Sequence, residues 1–312
     1  MTDSQLPTLP KGIFAALPTP CREDGTPYIE CLDPLVDSLA GTGLTGICIG
    51  GATGEYLAYS LDERARMLDH LATRTRSRMP IIFGVGGESY RQVSWLIQTA
   101  SGSGASSLLL PAPAYFRYDS NDLTEMVSCA AAASRLPVLL YLIPQFNGEI
   151  SIEDALGLIK TAPNIAGVKD SSGHRASLLS LAEAKRRIPF SWFSGSDDVL
   201  LDALIHGADG AISGVASACP ELVLGIYRTH EQGQMDEARQ LQMYLNEFII
   251  AIGEFPVPWG IRWAIEARGF SIGPPIWPVS ARREAQAKAF QNWFASWWPR
   301  CNELCSQVLS HG

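Results

Sequence analysis

Ile165-Ala-Gly-Val168-Lys169-Asp170-Ser-Ser-Gly173 is a short apolar run that ends on a lysine and stops at a Ser/Gly turn. Four small or apolar residues in a row, bounded by turn chemistry, read as a strand covered on both faces, as in parallel sheets. Working outward, the same unit recurs at 12–17, 46–50, 81–85, 107–110, 138–142, 190–194 and 210–213. Amphipathic stretches at 29–40, 61–76, 90–101, 121–134, 152–161, 175–187 and 198–206 lie between and read as helices. Ser60 with Glu63 and Ser151 with Asp154 are spaced to cap helix amides. Pro80, Pro137 and Pro189 stand just before strands, where a helix must already have ended.

Eight strand–helix units, spaced about 25 to 35 residues apart, match an α/β (β/α)8 TIM barrel in count and length. A doubly wound sheet usually has fewer strands. From residue 220 to 312 the pattern is mostly helical and carries Trp259, Trp263, Trp277, Trp293, Trp297 and Trp298. The expected organisation is a barrel catalytic domain over 1–225 and a C-terminal helical appendage over 226–312, packed on the barrel.

Composition excludes several classes of function. The chain has 312 residues, 46% hydrophobic and 18% charged, with a formal net charge of −8. That is too apolar and too weakly charged for a disordered chain. The cations are 19 Arg and 5 Lys, without basic runs, which argues against a nucleic-acid partner. Seven scattered Cys without a C-x-x-C suit a reduced, cytoplasmic protein. Residues 1–10 lack the basic and apolar regions of a signal peptide, and no run approaches the roughly 18 apolar residues of a membrane span. His70, His174, His206, His230 and His311 form no ligand cluster, so neither a metal nor another cofactor is expected.

Gly41-Thr-Gly43-Leu-Thr-Gly46 fits G-x-G-x-x-G but ends a helix and enters a strand. A dinucleotide fingerprint does the reverse, so this is a helix cap and turn. Among the lysines, Lys11, Lys160, Lys185 and Lys288 sit at segment ends or on solvated faces. Lys169 ends the sixth strand, on the face where barrel active sites are built. Partial desolvation at such a place favours a neutral amine, which can attack a ketone to form a Schiff base. A buried lysine paired with Asp170 is the other reading, and spacing alone does not choose between them. Tyr141, near the end of the fifth strand, would face the same mouth and could pass protons. Gly50-Gly51-Ala52-Thr53-Gly-Glu55, after the second strand, could hold a carboxylate through its amides and the Thr53 hydroxyl.

Gly51-Ala-Thr-Gly-Glu55, Pro113-Ala-Tyr115, Tyr141-Leu-Ile-Pro144 and Gly167-Val-Lys-Asp170, in this order on these strands, resemble the dihydrodipicolinate synthase/N-acetylneuraminate lyase family. The likeness extends from about 12 to 263, taking in Ser194-Gly-Ser-Asp-Asp198, Gly210-Ala-Ile-Ser213 and Phe255-Pro-Val-Pro-Trp259. The resemblance implies a Schiff-base lysine at Lys169 and a proton donor and acceptor at Tyr141. It also implies carboxylate binding by Gly51, Ala52 and Thr53, with Ile212 and Phe146 at the substrate, and no cofactor. Tyr115 would be lent to a neighbouring subunit of a homotetramer, a dimer of dimers.

Two departures matter. Ala52 stands where the family normally has a relay hydroxyl, and Phe146 where true synthases have a carboxylate-binding Arg. The lysine-feedback residues are not matched either, with Leu61, Glu88 and Ala114 in place of the typical His, Asn and Tyr. Gln145, Phe146, Asn147, Arg117 and the turn 171–174 are expected to line the second-substrate end. The expected activity is a lyase or aldolase acting on a 2-oxo acid, either pyruvate or a 2-keto-3-deoxy sugar acid. Dihydrodipicolinate synthase itself is the first alternative, and a non-catalytic 2-oxo acid binder is the second.

Overall fold

The computed structural model describes residues 8–75 and 78–310. The readings made for 1–7, for the helix end at 76 and for His311 lie outside these residues. Eight parallel strands close into one barrel in chain order: β1 (Gly12–Ala16), β2 (Gly46–Ile49), β3 (Ile81–Gly84), β4 (Ser107–Pro111), β5 (Val138–Leu142), β6 (Ile165–Asp170), β7 (Ser191–Ser194) and β8 (Gly210–Ser213). Every strand residue is buried, as the unbroken apolar runs require of strands covered on both faces. The ring shuts where β1 pairs with β8, Gly12 opposite Gly210. A Cβ on Gly210 would stand 1.8 Å from the Gly12 carbonyl oxygen, so the seam is glycine-lined by necessity.

Helices α1 (Asp33–Ala40), α2 (Leu61–Thr75), α3 (Tyr90–Gly102), α4 (Ser120–Ala132), α5 (Ile152–Thr161), α6 (Arg175–Lys185), α7 (Leu200–Ile205) and α8 (Pro220–Glu231) follow the strands in turn. Both spaced caps form. Ser60 Oγ accepts from the Glu63 amide at 3.3 Å while Glu63 accepts from the Ser60 amide at 2.8 Å. Ser151 Oγ accepts from the Asp154 amide at 3.0 Å. Two helices begin later than the periodicity predicts. The 29–40 stretch opens as a 3-10 turn over Ile29–Leu32, because Pro34 suits only the first turn of an α-helix. The 198–206 stretch opens as a 3-10 turn over Asp197–Val199, ahead of α7. Gly41 caps α1 and Gly46 starts β2, so the G-x-G-x-x-G segment is a cap and turn.

The core has two layers. Strand residues that point outward pack under the helices, whereas Phe14, Cys48, Ile82, Leu109, Leu139, Tyr141, Phe193 and Ile212 fill the barrel interior. Phe14 and Phe193 meet edge to face at 5.5 Å across it. Beyond α8, helices α9 (Met235–Gly253) and α11 (Ala281–Ser310) pack on α8 and on each other, and α10 (Trp259–Ala267) packs on both of them. Trp297 is fully buried against Phe248 and Phe294, and its indole N–H donates to Glu247 at 2.9 Å. Trp277, by contrast, lies between α10 and α11 and is 72% exposed. All seven cysteines are free thiols. Among the described residues no helix is long and apolar enough to cross a membrane, and no group of His, Cys, Asp and Glu is placed to hold a metal.

Candidate active site

Strand alternation decides where Lys169 goes. In β6, Val168 and Asp170 point outward while Lys169 points into the barrel mouth, in register with Tyr141 of β5 on one side and Phe193 of β7 on the other. Lys169 is 4% exposed, and its Nζ lies 4.2 Å from the centroid of the Tyr141 ring. Among the described residues no carboxylate comes within ion-pair distance of it. The pairing with Asp170 is therefore not made. Residues adjacent along a strand face opposite ways, and the Asp170 carboxylate instead accepts from the Ser172 amide at 2.9 Å. Burial raises the Asp170 pKa, with that hydrogen bond opposing the shift.

Two further residues shape the lysine's surroundings. Gly195, just past β7, leaves a lane for the side chain: a Cβ there would lie 2.6 Å from Lys169 Cε and 2.0 Å from Ser171 Oγ. Asp197, in the following 3-10 turn, is the carboxylate that feels the lysine's charge. Burial pushes its pKa up to about 6, against hydrogen bonds from Ser213 and the Val215 amide and the attraction of Lys169. Burial likewise pushes the Cys48 thiol, inside the barrel, up to about 11.

The loop after β2 is held tight by glycine. Gly50 adopts φ +68°, and a Cβ on Gly84 would stand 2.0 Å from the Gly50 carbonyl oxygen. This close approach belongs to Gly50 and Gly84, and Gly51 has only ordinary contacts. The loop sets Thr53 against the end of β8, where its Oγ1 is 3.2 Å from a Cβ built on Gly214. Ile212 lies on β8 in the same interior cluster as Tyr141, with Ala52 packed against it. Glu55 follows at φ +50°, 3.8 Å from Arg262, with Oε2 buried and without a hydrogen bond. Its pKa is raised by burial, and Arg262 opposes the rise.

Ala52, Tyr141 and Phe146 line one cavity of about 490 Å³ at the mouth, together with Glu55, Tyr56, Asn147, Val257 and Trp277. The structure thus gathers Lys169, Tyr141, Ala52, Phe146 and Ile212 at one end of the barrel. Tyr115 is not gathered with them. It is 92% exposed at φ +72°, edge-on to Phe116, on a segment tied to the mouth by the Ala114–Asn147 bridge. Gln145 and Asn147 are occupied with backbone: Gln145 donates to the Ser171 carbonyl at 2.9 Å, and Asn147 to the Ala112 carbonyl at 2.6 Å. Gly195, Asp197, Val257 and Trp277 are the residues that sequence reasoning missed here. The Ser194-Gly-Ser-Asp-Asp198 and Phe255-Pro-Val-Pro-Trp259 segments were visible as motifs, but nothing in them revealed contact with Lys169 or with the mouth.

The profile of the dihydrodipicolinate synthetase family matches residues 9–292. A probable 2-dehydro-3-deoxy-D-pentonate aldolase of Escherichia coli, YjhH, is 30% identical over 287 residues, covering 89% of this chain and 94% of that protein. A 4-hydroxy-tetrahydrodipicolinate synthase of Methanothrix thermoacetophila is 27% identical, covering 89% and 95%. The crystal structure of Escherichia coli YagE in complex with pyruvate superposes with a TM-score of 0.83 at 25% identity, covering 91% of this chain and 98% of that one. The 4-hydroxy-tetrahydrodipicolinate synthase of Methylacidiphilum fumariolicum gives 0.85 at 26% identity, covering 94% and 99%.

Proposed function

Because this chain belongs to the dihydrodipicolinate synthetase family, we propose that Lys169 condenses with the carbonyl of a 2-oxo acid, pyruvate or a 2-keto-3-deoxy sugar acid, to drive aldol chemistry. The protein is a lyase or aldolase of that family. The observation that carries the reading is the buried Lys169 amine, without a carboxylate at ion-pair distance among the described residues and 4.2 Å from the centre of the Tyr141 ring at the barrel mouth.

The Lys169 amine attacks the ketone carbon, water leaves, and the iminium withdraws electrons from the adjacent carbon–carbon bond. In the cleavage direction the bond between C3 and C4 breaks, Tyr141 takes the proton of the C4 hydroxyl, and the aldehyde departs. The enamine then collects a proton at C3, and water releases the 2-oxo acid and regenerates the amine. The Thr53 hydroxyl and the loop amides hold the substrate carboxylate beside β8. Ala52 supplies no relay hydroxyl, so protons reach Tyr141 through water or substrate. Tyr115, exposed and displayed by its segment, is suited to complete the site of a second subunit in a homotetramer. Seven free thiols fit operation in the cytoplasm.

Incubation with pyruvate followed by borohydride reduction and peptide mapping tests this. An adduct on Lys169 is expected, and a protein left unmodified would end the Schiff-base reading. Condensation with aspartate semialdehyde is the separate test for synthase activity. It is expected to be weak, since Phe146 has no charge to offer a carboxylate.

A further inference from the structure

The wall of the mouth cavity is largely apolar. Four large apolar side chains converge there while remaining open to solvent: Leu57, Phe146, Val257 and Trp277, at 49%, 57%, 56% and 72% exposure. Among the described residues no Arg or Lys lines the cavity. Arg262, the nearest guanidinium to Glu55, is spent on the carbonyls of Thr19, Ile272, Gly273 and Pro274, at 2.7, 2.9, 3.1 and 2.6 Å. Asn147 is likewise committed, to the Ala112 carbonyl and to the Tyr56 hydroxyl. An aldehyde bearing a carboxylate would meet Glu55 and no counter-ion among these lining residues, and a polyhydroxylated one would find Glu55 and Tyr141 but few other free hydrogen-bonding groups. Ala52 and Phe146, two of the positions that depart from the family pattern, put a methyl and a phenyl ring into the wall of this same cavity, beside Tyr141.

We propose that the carbonyl partner of the 2-oxo acid is an aromatic aldehyde, its ring seated between Phe146 and Trp277 and its carbonyl turned to Tyr141. The proposal rests on the Schiff-base reading of Lys169. The pyruvate enamine on Lys169 attacks the aldehyde carbon through C3, forming one carbon–carbon bond. The aldehyde oxygen takes the Tyr141 proton, and water cleaves the imine to release a 4-aryl-4-hydroxy-2-oxobutanoate. Loss of the C4 hydroxyl with a C3 proton, as water, would give the conjugated 4-aryl-2-oxobut-3-enoate. No oxidant or reductant enters either step.

The test uses the whole protein with pyruvate and, in turn, benzaldehyde, glyceraldehyde and aspartate semialdehyde, products being quantified by chromatography with mass detection. Benzaldehyde is expected to give a kcat/KM at least tenfold above either of the others. Trp277→Ala should raise the KM for benzaldehyde about tenfold, and Phe146→Arg should shift preference toward aspartate semialdehyde. Turnover of glyceraldehyde or aspartate semialdehyde without benzaldehyde, in protein that still traps pyruvate on Lys169, would overturn the aromatic assignment alone. Failure to trap pyruvate would overturn the Schiff-base reading on which it stands. A Trp277→Ala protein that changes its sedimentation behaviour while keeping its KM would make the apolar mouth a contact between copies of the chain, and that too would overturn the assignment.

Discussion

Gly195 gives Lys169 its room. The lane past Gly195 is wide enough for methylenes only because residue 195 has no side chain, with Cε 2.6 Å from where a Cβ would be. Gly195→Ala should cut the rate of pyruvate trapping by about 100-fold, since a displacement of this size removes the attacking geometry. Thermal melting should change little, because the Ser171 hydroxyl can rotate aside; trapping at the wild-type rate would show that the lane is not needed. Asp197 adds a pH dependence whose sign is fixed. Its pKa is about 6 in the folded protein against 3.8 for an unperturbed carboxyl. The folded protein therefore holds a proton that the unfolded chain has released between those values. The stabilisation from this group is complete below about pH 4 and is lost as pH rises through 6. Melting temperatures across that window should fall less steeply in Asp197→Asn than in the parent, and parallel profiles would contradict the assignment. Lys169 and Tyr141 were legible because each lies next to last in its strand, and the C-terminal ends of barrel strands share a face. Gly195 and Asp197 were not, because their nearness to Lys169 arises from β6–β7 pairing and the turn beyond it. The pairing with Asp170 stayed open in the sequence because spacing alone does not say which way neighbouring strand residues face.

Among the elements, α10 is tied to the loops around the site by Arg262. Arg262 is 1% exposed and binds the Thr19 loop to the 272–274 segment, with Glu55 3.8 Å away. Arg262→Met keeps most of the volume but strands several buried carbonyls and leaves the Glu55 carboxylate without its cation. A loss of about 3 kcal/mol or more in urea unfolding is expected, and a loss under about 1 kcal/mol would mean that solvent replaces the guanidinium. Helix starts at Ser60 and Ser151 were readable from local chemistry, as caps are local devices. The 3-10 turns at Ile29–Leu32 and Asp197–Val199 were not, because turns of this length carry no periodicity to read.

Across the whole molecule, eight apolar runs at regular intervals were enough to anticipate the closed barrel, since repetition averages out errors at single boundaries. Closure itself depends on a few atoms. Gly210 sits at φ +147° with its missing Cβ 1.8 Å from the Gly12 carbonyl oxygen. Gly210→Ala should cost at least about 3 kcal/mol, combining backbone strain with overpacking. Lower soluble yield and a lower urea midpoint are the measures, and a midpoint unchanged from the parent would show that the seam can open without cost. The seam also sets an order of events during synthesis. Thr53 leaves the ribosome early and Lys169 later, but Gly214, against which Thr53 rests, follows β8. Contacts of such sequence separation form slowly. A half-made chain thus carries Lys169 without its enclosure, which is complete only when the last strand locks the ring.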